Sequence, residues 1–228
     1  CSNVVHLSVV GSRQCQLFEM AAEIKNNCWC EYIKWRVVYL EFTKTNYKHC
    51  NLNKGENVMK WAVLSDLHMN FKNCNTVTAR DKLIETLRKE NTDGEISFVL
   101  ITGDCLHQNR GNLKEIASYI SQIAEACGID VSRVILCPGN HDIDRKIKSR
   151  NTAIKTYRKD GTLPDLETCL NGYGRFKELY TLLYGDIYEP FSLKTIDDFR
   201  IISVDSCLLS MDDRDYGKLV VSFTNLAE

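Results

Sequence analysis

Trp61-Ala62-Val63-Leu64-Ser65-Asp66-Leu67-His68 decides how the rest of the chain is read. A short apolar run of strand length ends on a carboxylate and an imidazole set two residues apart. In extended backbone, residues i and i+2 point to the same side, so Asp66 and His68 are expected to reach one ion together. Alone the pattern is weak, because Asp-x-His reads equally well as a turn aspartate beside a surface histidine.

Moving outward from this stretch, the same order recurs twice. Residues 78–90 carry Leu83, Ile84 and Leu87 at helical spacing, with Thr78 as the expected N-cap and Asp81 in the first turn. Residues 96–102 are the second strand, followed by Gly103-Asp104-Cys105-Leu106-His107. Residues 112–127 place Ile116, Tyr119, Ile120, Ile123 and Ala124 on one helical face, closed by Gly128. Residues 134–137 are the third strand, stopped by Pro138-Gly139, and Asn140-His141-Asp142 come next. This alternation implies an α/β fold whose strands pair in parallel through crossover helices. Ligands of such sheets gather beyond the carboxyl ends of the strands, so the three polar clusters are expected on one edge.

Each cluster has a chemical reading beside its plainer one. Gly103 frees the backbone and puts Asp104 at a strand end, where a carboxylate could bridge two ions; the plainer reading is an ordinary turn aspartate. Asn140 is an uncommon metal ligand whose neutral amide oxygen limits negative charge around the ions. His141 beside it can meet substrate instead of metal, with Asp142 as an orienting partner.

Asp-x-His, then Gly-Asp, then Gly-Asn-His-Asp, each after a strand, resembles the calcineurin-like metallophosphoesterase family. The likeness implies a partial four-layer αββα sandwich with a mixed, largely parallel sheet. It implies two divalent ions, with Mn, Fe or Zn all compatible with a mixed Asp, His and Asn set. Asp66 and His68 would ligand the first ion, Asp104 would bridge both, and Asn140 would ligand the second. His141 would serve the scissile phosphate as acid or charge stabiliser. Where many members carry a carboxylate to support that histidine, this chain has His107, so either another group orients His141 or His107 itself contacts substrate. The implied reaction is hydrolysis by a water activated between ions about 3.5–4 Å apart.

The chain has five histidines and none follows His141, whereas the family pattern continues with further histidine ligands. The expectation is a domain at 59–228 truncated before those ligands, and a fragment that is inactive alone. Residues 1–58 show little periodicity. Lys54-Gly55-Glu56 can be encoded by a purine-rich ribosome-binding sequence just before Met59, so 1–58 are expected to be an upstream extension and not native. The alternative is a small accessory domain with a strand at 35–42. Beyond residue 144, two surface helices at 144–159 and 165–184 are expected to cap the site, with strands at 199–204 and 217–223.

Composition bounds the function further. The 228 residues are 44% hydrophobic and 26% charged with a net charge of −1, a globular balance without a global pull toward nucleic acid or anionic membrane. The basic run at 145–150 reads as a solvated face. Eleven scattered cysteines lack paired two-residue spacings, which argues against structural zinc and for reduced, apolar-segment cysteines in a cytoplasmic protein. No run approaches the roughly 18 apolar residues of a membrane span. Gly-Asn-His-Asp-Ile-Asp-Arg is similar to bacterial members of the family that include cyclic-nucleotide phosphodiesterases, so a phosphodiester substrate, a nucleotide or a nucleic acid, is expected. The alternatives are a phosphomonoesterase or protein phosphatase, disfavoured by Asp142 and the displaced Arg110, and a non-catalytic binding or scaffold member.

Overall fold

Lys60–Leu64 (β1), Ile96–Ile101 (β2) and Val134–Leu136 (β3) pair in parallel in the order β1-β2-β3. The computed structural model describes residues 60–70, 74–91, 94, 96–197, 199–212 and 215. The expected strands at 35–42 and 217–223 lie outside the described residues, as does the whole of 1–58. Cys74–Glu90 (α1) and Leu113–Ala126 (α2) make the two crossovers. The alternation read from the sequence is therefore the connectivity of the protein.

Both faces of the sheet are covered, which is why its strands are continuous apolar runs and not alternating ones. On one face Ala62, Leu64, Val99, Ile101, Val134 and Leu136 pack beneath the helices, meeting Leu83, Ile84 and Leu87 of α1 and Ile116, Ile120 and Ile123 of α2. On the other, Trp61, Phe98, Leu100 and Ile135 meet Ile196 and Ile201. Those two residues belong to an antiparallel hairpin, Phe191–Ile196 (β4) and Phe199–Val204 (β5). Trp61 and Phe98 stack with centroids 5.4 Å apart and planes 10° apart. The described residues thus supply a helix layer, a parallel sheet and a second, antiparallel layer.

Two sequence expectations change here. α1 begins at Cys74, so Thr78 lies inside the helix instead of capping it, and Asp81 is in its second turn. Its apolar stripe starts only at Leu83, so the first two turns carry no periodic signal to mark their start. The segment expected as one capping helix at 165–184 divides into Leu166–Leu170 (α4) and Gly174–Tyr184 (α5), separated by Gly172 at φ 112°. α5 buries Phe176, Leu179 and Leu183 in the main core, and the Tyr184 hydroxyl donates to Val134 O at 3.0 Å. It belongs to the helix layer, where its apolar face has something to bury against.

Lys148–Asp160 (α3) carries a further surprise. Arg150, expected on a solvated face, is fully buried and donates to four carbonyls: Cys169 at 2.9 Å, Ser210 at 2.6 Å, Cys207 at 3.2 Å and Leu208 at 2.9 Å. It pins the turn after β5 to the helices. Arg150→Met keeps the apolar stem but strands these acceptors. It should lower unfolding free energy by roughly 3–5 kcal/mol, of the size seen when a buried charged network loses one member. Urea titration of both proteins checks this. Five described cysteines, Cys105, Cys127, Cys137, Cys169 and Cys207, are free and buried; burial pushes the Cys137 thiol up to about 11. They serve as small apolar side chains.

Candidate metal centre

The loops after β2 and β3 touch through glycine. A Cβ on Gly139 would stand 2.1 Å from Asp104 Oδ1 and 2.4 Å from the Asp104 nitrogen. A Cβ on Gly103, which sits at φ 127°, would meet the Gly139 Cα at 2.8 Å. Only two glycines allow the loops this close. The His141 N–H then donates to Asp104 Oδ1 at 2.9 Å. Asp142, wholly buried, accepts from Leu106 N at 2.6 Å, Gly139 N at 2.8 Å and Cys105 N at 3.3 Å. Asp142, expected as an orienting partner of His141, fixes the backbone of the loop that presents it.

The loop after β1 joins by extending the ladder beyond the strand ends. Asp66 N donates to Gly103 O at 3.1 Å, His68 N to Asp104 O at 2.8 Å and Met69 N to Cys105 O at 2.9 Å. The expected extended geometry for Asp66-Leu67-His68 is not what occurs. Asp66, His68 and Asp104 have φ of 57°, 41° and 55°, in the left-handed region that costs a non-glycine residue about 1–3 kcal/mol. The three side chains converge because the backbone turns under them. Three residues held in that region at one sheet edge mark a site where geometry was set for function at the expense of local comfort.

Ligand atoms of Asp66, His68 and Asp104 lie within 4.8 Å of one another, Asp104 buried and the others half-buried. His68 Nδ1 stands 3.3 Å from Leu106 O; a carbonyl only accepts, so Nδ1 carries the proton and Nε2 is left as donor to a metal. Nε2 is 3.8 Å from Asp66 Oδ1. Burial, then the charge of Asp66, pushes Asp104 up to about 6, against the pull of the His141 amide. Burial and the charge of Asp104 push Asp142 upward as well, despite its three amide donors. Clustered carboxylates that resist ionisation are relieved by a cation, so the donor set fits a divalent metal. Asn140 begins the turn Asn140–Asp142, next to His141 and half-exposed at the same edge.

His107 is the third imidazole. Its ring stacks on His141 with centroids 5.3 Å apart and planes 12° apart, and both rings stand edge-on to His68 at 5.1 and 5.0 Å. Asn109 N donates to His141 O at 2.7 Å, folding the His107 loop back on the site.

The family model for calcineurin-like phosphoesterases matches residues 59–222. The chain belongs to the calcineurin-like phosphoesterase family. It is similar to the uncharacterized metallophosphoesterase-like protein YydB of Bacillus subtilis (strain 168), 26% identical over 176 residues. That match covers 72% of this chain and 36% of the relative, so it spans about a third of the curated relative's length. The α/β fold with a parallel sheet is that of a calcineurin-like phosphoesterase, and the family binds divalent metals. Among the described residues, no helix is long and apolar enough to cross a membrane.

Two residues beside the cluster were not singled out from sequence as part of it. Asn70 holds the His107 backbone from both sides, accepting from its N–H at 2.6 Å and donating to its carbonyl at 3.1 Å. Arg145, in the turn after the Asn-His-Asp segment, is close enough for its charge to lower Asp104. Asn70 has no motif around it; Arg145 closes the Gly-Asn-His-Asp-Ile-Asp-Arg stretch and was expected only as part of the solvated basic run at 145–150. The glycine contact is directly testable. Gly139→Ala should displace Asp104, lower stability by about 1–3 kcal/mol as overpacking does, and weaken Mn²⁺ binding more than stability. Thermal melting and Mn²⁺ titration by electron paramagnetic resonance measure the two effects separately.

Proposed function

We propose that the loops after β1, β2 and β3 hold two divalent metal ions and hydrolyse a phosphodiester, a nucleotide or nucleic-acid phosphate being the substrate class. The observation that carries this reading is the convergence of Asp66, His68 and Asp104 at one sheet edge. Asp66 and His68 would hold one ion, Asp104 would bridge, and Asn140 would hold the second. Bound there, Mn, Fe or Zn would supply Lewis acidity toward phosphoryl oxygens and a nucleophile at neutral pH. Asp104, buried and braced by the His141 amide, keeps its position without solvent. His141, half-exposed and backed by His107, delivers a proton to the departing ester oxygen. His107 faces the same space and contacts the phosphate or its leaving group.

A diester brings a second organic arm, and a cleft of about 540 Å³ lies beside the His107 loop to take it. Asn70, Arg80, Ile116 and Tyr119 line it together with the carboxylates Asp81 and Glu115, so the arm it suits is an uncharged or cationic one. Asn70 is shared between cleft and site, through its two bonds to His107. Room for a second arm is what the diesterase reading requires and the phosphomonoesterase reading does not. The test is Mn²⁺-stimulated hydrolysis of bis-p-nitrophenyl phosphate by the intact native protein, beside p-nitrophenyl phosphate. Preference for the diester is expected. Preference for the monoester would sink the diesterase reading, and no metal-stimulated hydrolysis of either would sink the enzyme reading in favour of a binding or scaffold role.

A further inference from the structure

His68, His107 and His141 form a second potential ligand set, distinct from the carboxylate set except for His68. One ring nitrogen from each lies within 4.8 Å of the others. The rings come from three different loops, after β1, after β2 and after β3. His68 Nδ1 is engaged by Leu106 O, which turns Nε2 into the shared space. The Asn109 N–H to His141 O bond and the two Asn70 bonds to His107 hold the other two loops in register. For His68 this is the ring N–H to carbonyl support that metal-ligating histidines use, whereas at His107 and His141 it is the backbone that is held.

Ligand chemistry separates the two sets. Carboxylates and an amide oxygen suit harder ions such as Mn²⁺, whereas imidazoles suit Zn²⁺, which binds more tightly to nitrogen donors along the divalent series. Three imidazoles with one open position are a stable zinc environment. Tetrahedral zinc with bonds of about 2.0–2.1 Å needs nitrogens about 3.3 Å apart, a contraction that half-exposed rings on loops can make.

We propose that the chain binds Zn²⁺ through His68, His107 and His141, in a mode that excludes the mixed carboxylate arrangement because both need His68 Nε2. Zinc held there also occupies the two imidazoles that face substrate, so it acts as an antagonist of the hard-ion state. The inference goes beyond the phosphodiesterase reading and stands whether or not that reading survives.

The test uses the whole 228-residue chain, freed of metal and loaded with one equivalent of Zn²⁺ for X-ray absorption, or Co²⁺ for optical spectra. Three imidazoles per zinc and the intense visible bands of four-coordinate cobalt are expected. The carboxylate set would give one imidazole. His107→Gln should remove one imidazole and weaken zinc by at least the about 10–100-fold typical of losing an outer-shell partner. Mn²⁺ affinity in that variant should be unchanged, while Asp104→Asn should weaken Mn²⁺ and spare zinc. One imidazole in the unmodified protein, or no zinc binding at all, overturns the proposal without reference to any variant. Unchanged zinc affinity in a folded His107→Gln overturns it too. Absence of Mn²⁺ binding or of hydrolysis in the unmodified protein bears on the phosphodiesterase reading alone.

Discussion

Asp104→Asn is expected to abolish metal-dependent hydrolysis while leaving the metal-free fold as stable as before, or more so. Asparagine keeps the size of the side chain and an oxygen to accept from the His141 N–H, now 2.9 Å from Asp104 Oδ1. What it removes is the negative charge that would serve both ions. Losing several kcal/mol of charge stabilisation, at about 1.36 kcal/mol per decade, means about 10³-fold or more in rate. His68→Ala, which removes a ligand of one ion only, should lose less. The sign of the stability change follows from burial. Asp104 is raised to about 6, so the native state resists its ionisation. The penalty is present above that pH and absent below the ordinary carboxylate range, near 4. In metal-free protein, Asp104→Asn should therefore melt higher than the parent at pH 7–8, and the gap should close by pH 4. Activity retained at ordinary Mn²⁺ concentrations would place the bridging ligand elsewhere.

His141→Ala should lower kcat of the intact native protein by about 10²–10⁴-fold, the range for general acid–base assistance. The Mn²⁺ content should stay near that of the parent, because on the proposed reading the side chain serves substrate, and the amide that donates to Asp104 is kept in the alanine variant. Loss should shrink with p-nitrophenyl esters, whose leaving group needs no proton. An equal loss for activated and unactivated esters would assign His141 to stabilising phosphate charge instead. Loss of manganese with the ring would make it a ligand. The stacked His107 ring sharpens the test, since an imidazole with centroid 5.3 Å away is placed to take over part of the role. The double replacement should then fall below His141→Ala alone, and equality of the two would show that His107 gives no backup.

The parallel sheet and the edge that carries the site were legible because each strand is an apolar run that ends abruptly in Asp-Leu-His, Gly-Asp or Gly-Asn-His-Asp. Both sheet faces are buried, so periodicity within the strands says nothing, but their length and punctuation say enough. α2 was readable to within a residue, since Asn112 caps it by accepting from Lys114 N and its apolar face is regular. α1 was not, because Val77 and Thr78 are exposed and its buried stripe begins only at Leu83. β4 was missed, its exposed and half-buried residues alternating too weakly to stand out.

What the order of residues determined by itself is which chemistry gathers at one edge: Asp66, His68, Asp104, Asn140, His141 and His107 each follow a strand end, and parallel connectivity leaves them no other place. Tertiary structure alone decided how they meet. Left-handed backbone at Asp66, His68 and Asp104 is stabilised by ladder bonds from other loops, which no local propensity reports. Gly103 matters because of an atom 36 residues away in sequence and Gly139 because of atoms 35 away, not because of their neighbours. Arg150 became a buried clamp, and Asp142 a loop brace, only once distant carbonyls and amides had been brought to them. The three-imidazole cluster exists for the same reason: partners far apart along the chain are chosen by packing, and packing is a property of the folded whole.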